Sequence, residues 1–578
     1  MKTIEELIRK LIKNQIDYNI FIKFNSKTVI EKTALTNLIR KAISENYIQK
    51  TDNNLLKITK EGREYINKLE GKEIAPKTIQ NKKISVNPQN AKLDSKIIAE
   101  AYNIKSDFRE ELLKIANEIN NNAIFDCKDR IDLREIKTIT IDGETSKDLD
   151  DAISVEKIED KYKVYVHISD VSHFIDIDSP LDLEAKSRGN SSYLIDKVYN
   201  MFPEILSNNI MSLNENEERF ALTLIFIIDK EGNILESNIL KSLIKSDRRL
   251  SYNYAEDIIN KKVEEENWLL ELINNSLDIK NILYKKRKEG RGIEFDNNDI
   301  KIVLNEEGIP IEFYGEEKKQ SAHIIEELML LANSEIAKKL KDYDGVIFRY
   351  HGSPDEYRFN NFKILAHNKG YELKKLENGG YDIKEFIERV KGKAEENLLT
   401  SVLLRSMTPS SYSIVNKSHF GLGLDYYTYF TSPIRRYADL LIHRIVKSVL
   451  INKDKEIDLK LKDLCKDSFD KLSILDKTSN KAERNVRQVK AARFMKDRLG
   501  DEYFGIISSM SKYGITVEIE GLEIEGFIES HYVGSDYRFY QDMQCIFIEK
   551  VKAYELGDRV KIFVASVNVE NGKINFSL

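Results

Sequence analysis

The alternation of apolar and polar residues divides the chain into stretches of different character. In "TALTNLIRKAISENYI" the apolar positions Leu35, Leu38, Ile39, Ala42 and Ile43 recur at the spacing of an amphipathic helix. The following "YIQKTDNNLLKIT" reads as strand, Asp-Asn-Asn turn and strand, and "KEGREYINKL" as a further short helix. Helices followed by a two-stranded wing predict a winged-helix-like domain over 1–70, a fold that serves both nucleic-acid binding and protein docking. Residues 71–95 carry two prolines, several lysines and no periodicity, which predicts a linker. From 96 to 498, short strands alternate with long helical patterns such as 322–340 and 433–450, so this stretch is expected to be one large α/β unit. From 502 to 578, "YFGIISSMSKYGITVEI", "EIEGFIES", "DRVKIFVASVNV" and "KINFSL" are β-rich runs joined by Gly, Asp and Asn turns, the pattern of an OB-type barrel. Phe504, Tyr513 and Phe527 on these runs are either a stacking platform for single-stranded bases or the barrel's own core.

Composition refines this picture. A chain of 578 residues, 41% apolar and 32% charged, is a soluble multidomain protein with ample material for cores. The net charge of −5 does not announce nucleic acid, but its distribution is uneven. Residues 1–70 hold 14 Lys/Arg and 9 Asp/Glu, a surplus of +5, which leaves −10 for the remainder. A basic end on an acidic body predicts an anionic partner at that end. Cys127, Cys465 and Cys545 are far apart and odd in number, which fits a reducing cytoplasm, and the eight histidines show no paired metal-ligand spacing. "MKTIEELIRK" contains acids and leads into no apolar core of a signal peptide, and no run of about 18 apolar residues predicts a membrane span.

Two segments carry candidate chemistry. Residues 141–152, "IDGETSKDLDDA", crowd Asp142, Asp148, Asp150 and Asp151 together, with Glu144 among them. Such a cluster is either a solvated acidic turn or a site for hard divalent cations, which take oxygen ligands. Asp142 is expected to end the strand in "REIKTITI", and the other three to line the following loop. Asp148 and Asp150 share a side if that loop is extended; Asp151 joins them only if it bends. The second segment, "HFGLGLDYYTYFTSPIRRYADLLIHR" (419–444), places Arg435 and Arg436 just after a Ser-Pro at an expected helix start, where backbone N–H groups and guanidinium groups suit a phosphate. Tyr426, Tyr427, Tyr429 and Phe430 read equally well as buried strand residues, and His443 as a hydrogen-bonded structural histidine.

These motifs together carry a resemblance. "TIDGETSKDLDDAISV", "VHISDVSHFI", "AKSRGNSSYL", "FPEILSNNIMSLN" and the 419–444 segment, in this order, resemble the RNB catalytic domain of the ribonuclease II / ribonuclease R family over roughly 95–500. Residues 502–578 resemble the S1 RNA-binding domain that follows it. The N-terminal pattern and "DRIDLREIKTITIDGE" favour the ribonuclease R type. The resemblance implies a processive, hydrolytic 3′-to-5′ exoribonuclease that releases nucleoside 5′-monophosphates with Mg²⁺, for which Mn²⁺ substitutes. It implies that Asp142, Asp148, Asp150 and Asp151 hold metal, Asp150 being the most critical to cleavage. It further implies that Tyr193, in "NSSYL", stacks on the 3′-terminal base, and that Arg435 grips phosphate with help from Arg436. Glu483, in "KAERNV", is implied to lie near the RNA channel. The expected protein is a cytoplasmic monomer that takes single-stranded 3′ ends, with a further RNA or protein contact through its winged helix. Such chemistry requires no protein nucleophile, and no Ser-His-Asp grouping is present. Two departures stand out. Only 71–95 lies where relatives carry two cold-shock domains, and Leu194 follows Tyr193 where an aromatic is common. An inactive RNA-binding relative is the alternative, against which the complete aspartate set, Tyr193 and Arg435 speak. A winged-helix DNA-binding regulator would explain only the two ends of the chain.

Overall fold

The computed structural model describes residues 84–578 except 294–298, 377–379, 394 and 541–543, and of the first 83 residues only 16–17, 35–36, 39, 41–43, 48–50 and 55–58. The chain divides into two units, 1–80 and 81–578. In the first, Ile16–Asp17, Ile48–Lys50 and Leu55–Ile58 form an antiparallel sheet with the last strand in the centre. Ile48 pairs with Ile58, so the two strands expected in "YIQKTDNNLLKIT" pair with each other; the turn between them lies outside the described residues. Helical residues between 35 and 43 bury Leu35, Ile39 and Ala42. The short helix expected in "KEGREYINKL", and with it the complete winged helix, lies outside the described residues.

The linker expected over 71–95 ends earlier than its composition indicates. Val86 and Ala91 are buried, and helix α1 (Asp94–Ala101) begins within the expected linker. Val86 donates its N–H to the carbonyl of Glu570, and Arg493 donates to the carbonyls of Asn87 and Pro88. Proline and asparagine set the loop conformation correctly, but two apolar side chains and these backbone bonds fasten it to the second unit.

From residue 131 the strands run β1 (Ile131–Asp132), β2 (Ile139–Asp142), β3 (Asp151–Ile158), β4 (Lys161–Ser169), β5 (Ser192–Leu194), β6 (Lys197–Tyr199), β7 (Glu218–Asp229), β8 (Ile234–Lys245) and β9 (Arg248–Ser251). Seven of them form one sheet in the order β9-β2-β3-β4-β7-β8-β1; β5 and β6 pair only with each other. The sheet is antiparallel except for β8 with β1 and β9 with β2. Strands β3 and β4 are buried on both faces over the half nearest Asp151, where Ile153, Val155, Val164, Val166 and Ile168 pack into the main core. That core continues into helices α2 (Asn267–Glu289), α3 (Gln320–Lys339), α4 (Tyr437–Ile445) and α5 (Lys455–Lys496). The 42-residue α5 starts where the Asp454 carboxylate accepts from the N–H groups of Glu456 and Ile457, with Glu456 and Asp458 in the first turn and Arg493 and Lys496 in the last, matching the helix dipole at both ends. Among the described residues no helix is long and apolar enough to cross a membrane.

The C-terminal runs close into the expected barrel: β10 (Glu502–Ser511), β11 (Gly514–Ile519), β12 (Glu525–Glu529), β13 (Arg559–Asn568) and β14 (Lys573–Ser577), in the order β10-β11-β12-β14-β13. Its interior is not self-contained. Ile507, Val517, Ile562 and Phe576 belong to the same apolar cluster as Phe362, Phe386 and Leu403 of the preceding helical region and Met495 of α5. Gly557 (φ +88°) lies so close to Leu398 that a Cβ would stand 2.3 Å from its methyl carbon. Phe504 and Tyr513 are exposed on the barrel, each with a cation over its ring, Arg559 and Lys512 respectively, whereas Phe527 is half-buried.

Candidate active site

The acidic segment folds into a bent loop for reasons local to it. Strand β2 ends at Asp142, as the pattern predicts, and the N–H of Ser146 turns back onto the carbonyl of Gly143. Arg249 donates to the carbonyls of Glu144 and Ser146, and Ser212 Oγ bridges the carbonyl of Lys147 and the N–H of Leu149. Leu149 is buried among Ala152, Leu213, Ala221 and Ile244, which pins the loop's far end. The bend brings Asp142, Asp148, Asp150 and Asp151 to one cavity of about 500 Å³, which Tyr193, Tyr252, Glu326, Tyr429, Ser432, Arg435 and Arg436 also line. Glu144 is exposed and accepts from Asn253 instead.

The opposite wall comes from the 431–436 turn, and here the helix start differs from expectation. Helix α4 begins at Tyr437, not at Pro433. The amides freed by Ser-Pro are already used: the N–H of Ser432 donates to Asp439 Oδ1 (2.9 Å) and that of Ile434 to Asp150 Oδ1 (2.8 Å). Arg436 has extended backbone and bridges Asn190 as a strand residue would. The phosphate-binding potential of this segment therefore rests on Arg435 rather than on a helix terminus. Its Nε stands 3.4 Å from Asp150 Oδ2, its Nη2 donates to Ser432 Oγ (3.0 Å), and its side chain remains 41% exposed. Arg436 lines the same cavity, but Asp439 (2.8 Å) and the face of Tyr429 (3.8 Å) occupy its guanidinium. Tyr427 and Phe430 are buried as expected, though in extended chain outside any strand. His443 is the structural histidine anticipated: fully buried, stacked on Phe430 at 4.3 Å and bonded through Nε2 to the Phe430 carbonyl.

Tyr193 projects from β5 beside the carboxylates. Ser192 and Leu194 on either side are buried, so strand alternation turns Tyr193 outward, 39% exposed, with its hydroxyl donating to Asp148 Oδ2. Leu194 faces the other way, into an apolar cluster with Ala482, Val486 and Val489 of α5. Glu483 is exposed on α5 and is not among the residues lining the cavity. Pattern reading missed Tyr252 and Glu326; Tyr429, named there with a buried-strand alternative, is half-buried and lines the cavity. Tyr252 reaches the cavity because β9 pairs with β2 so that Ser251 sits opposite Asp142, a register that sequence alone does not reveal.

The site's electrostatics follow from burying like charges. Desolvation raises the carboxyl pKa of Asp142, Asp150 and Asp151 above the ordinary range; Asp148 adds to the rise at Asp142, and Asp142 to that at Asp151. At Asp150 the next largest influence is Arg435, which opposes the rise. Burial, then Asp148, also raises the Tyr193 hydroxyl.

Comparison with known proteins gives the family. The RNB domain family matches residues 130–452 and the S1 RNA binding domain matches 496–578. Ribonuclease R 1 of Lactococcus lactis is 34% identical over 487 residues, covering 82% of this chain and 59% of that protein. Ribonuclease R of Aquifex aeolicus is 33% identical over 510 residues, covering 85% of this chain and 71% of that protein. The chain belongs to the ribonuclease R family. Among solved structures, Mycoplasma genitalium RNase R in complex with ribose methylated single-stranded RNA superposes with a TM-score of 0.81 at 25% identity, over 85% of this chain and 78% of that one. A yeast pseudonuclease shares the fold, with a TM-score of 0.60 and 16% identity.

The family resemblance implies a divalent metal, and the donor set fits one. Oδ2 of Asp142 and of Asp151 are buried without a hydrogen-bond partner, and Oδ2 of Asp150 faces Arg435 Nε at 3.4 Å; the first two are oxygens that a cation could satisfy. Among the described residues no three His, Cys, Asp or Glu side chains stand, as placed, in a group that could hold a metal ion.

Proposed function

We propose that this chain is a hydrolytic 3′-to-5′ exoribonuclease that degrades single-stranded RNA processively to nucleoside 5′-monophosphates, with Mg²⁺ (or Mn²⁺) as cofactor. The observation that carries this reading is the pair of unsatisfied buried carboxylate oxygens of Asp142 and Asp151 beside the Asp150–Arg435 pair, with a tyrosine ring lining the same cavity. A divalent ion held by Asp142, Asp148, Asp150 and Asp151 would supply acidified water and offset charge at phosphorus. The chain's own residues supply placement. The Ile434 N–H fixes one oxygen of Asp150, and the other faces Arg435. Ser432 holds one arm of Arg435, whose exposed remainder can grip a phosphate oxygen. The Tyr193 ring offers a face to the last base. Free Cys127, Cys465 and Cys545 support a reducing compartment.

An inactive RNA-binding relative would share this fold but would have no need of the unsatisfied carboxylates. Asp150→Asn separates the two readings. It should abolish Mg²⁺-dependent cleavage while RNA affinity, spread over many phosphate and stacking contacts, stays near wild type. Wild-type turnover by Asp150→Asn in saturating Mg²⁺ would remove the assignment.

A further inference from the structure

Behind the hairpin that carries Tyr193 lies a buried cation that the reaction does not use. Lys490, on α5, is fully buried. Its ammonium donates to the carbonyls of Ala91 (2.9 Å) and Gly308 (2.8 Å) and pairs with Asp196 (2.9 Å) and Asp94 (3.1 Å). A buried ammonium is costly unless its three donors and its charge are met. Asp94 is already matched by Arg493, which grips both of its oxygens at 2.7 Å. Asp196 is therefore the carboxylate that balances Lys490.

Asp196 stands at the tip of the β5–β6 hairpin. Leu194 pairs with Lys197, which leaves Ile195 and Asp196 as the turn. The other Asp196 oxygen accepts from Ser95 of α1, so the tip is clamped to α1 and α5 together. The rest of the hairpin has its own supports: Ser479 of α5 donates to Ser192, and Leu194 and Tyr199 sit in the apolar cluster on α5. Losing the tip clamp should thus loosen the hairpin rather than unfold it. Tyr193 is three residues from Asp196, on the face opposite Leu194, and its hydroxyl bonds to Asp148 at the cavity.

We infer that the Asp196–Lys490 pair is a positioning device for Tyr193: by fixing the hairpin tip it sets where the ring meets the terminal base, and so how short an RNA the site can still hold. The inference rests on the proposed stacking role of Tyr193. Its ligand is the 3′-terminal nucleoside of a short single-stranded RNA.

The test compares Asp196→Ala, Asp196→Asn, Tyr193→Ala, the Tyr193→Ala/Asp196→Ala double variant and Lys197→Ala, a turn neighbour that has no contact with Lys490. Either Asp196 change leaves the buried Lys490 ammonium without its balancing carboxylate, so folding is checked first by circular dichroism; if both variants unfold, Asp196→Ala/Lys490→Met, which removes the charge with its partner, takes their place in both readouts. Two readouts are taken: final fragment length and the KM/kcat split on a short oligoadenylate, and fluorescence of a 3′-terminal 2-aminopurine bound with metal withheld. Both Asp196 variants should leave longer final fragments. They should raise KM for the short substrate by about fivefold or more, the weak end of a base–aromatic stack, with kcat on long RNA near wild type. They should also restore part of the 2-aminopurine fluorescence that stacking quenches. Lys197→Ala should match wild type, and the double variant should be no worse than Tyr193→Ala alone. If folded Asp196 variants match wild type while Tyr193→Ala shifts both readouts, or if the double variant is additive, the positioning role is wrong. If Tyr193→Ala itself shifts neither, the stacking role fails and the inference falls for that separate reason.

Discussion

Asp150 shows how one side chain can be built for two tasks at once. One oxygen takes the Ile434 N–H and so ties the acidic loop to the arginine-bearing turn; the other meets the Arg435 guanidinium at the cavity. That division was not legible in "KDLDDA", which gives four candidate acids without ranking their surroundings. Arg435 and Arg436 make the same point. Adjacent and chemically identical in sequence, they separate in the fold because Asp439 and Tyr429 claim only the second. His443 was legible in kind, since a lone histidine on an apolar helix face is seldom a ligand. Its environment also yields a pH dependence. Burial lowers the pKa of His443 to about 4 and that of His167 to about 3, against about 6.5 for a free histidine. Between those values the unfolded chain binds protons that the folded chain refuses, so the contribution of these two histidines to stability falls as pH falls below about 6.5, opposite in sign to that of the raised carboxyls of Asp142 and Asp151. On going from pH 7 to pH 5 the urea midpoints of the His167→Gln and His443→Gln variants should gain on that of the wild type; slopes unchanged by either substitution would contradict this.

At the scale of elements, the strand ending at Asp142, the long helix near 322–340 and the barrel were all readable from periodicity and turn residues. What could not be read was tertiary in origin. The bend that gathers four aspartates depends on Arg249, Ser212 and the burial of Leu149, none of which marks itself in the local pattern. The late start of α4 depends on a carboxylate 284 residues earlier capturing the Ile434 amide. Leu149 is the single apolar anchor within the loop, so Leu149→Ala should cost about 2–5 kcal/mol and depress turnover more than RNA binding, because the carboxylates lose their common aim. Thermal melts and kcat measured side by side check this; a variant that loses stability but keeps full kcat would show that the loop does not depend on this anchor.

At the scale of the molecule, the barrel shares its core with the catalytic region, which changes how its role should be tested. A chain ending at 501 would uncover Met495, Phe386 and Leu403, so loss of activity in that truncation would report lost packing as much as lost RNA capture. Surface substitutions separate the two. Phe504→Ala and Tyr513→Ala should keep the wild-type melting temperature, weaken binding of single-stranded RNA by about 1–3 kcal/mol per ring, and leave kcat at saturating RNA unchanged. Unaltered affinity in both would move RNA capture to another surface. The central claim, a metal-dependent exonuclease that starts at the 3′ end, is tested most directly by mixing the protein with a 3′-labelled single-stranded RNA in Mg²⁺ and in EDTA. The account predicts that in Mg²⁺ the label leaves as nucleoside 5′-monophosphate from the first time point, and that in EDTA it stays on full-length RNA. Label released in longer oligonucleotides, or released equally in EDTA, would contradict it.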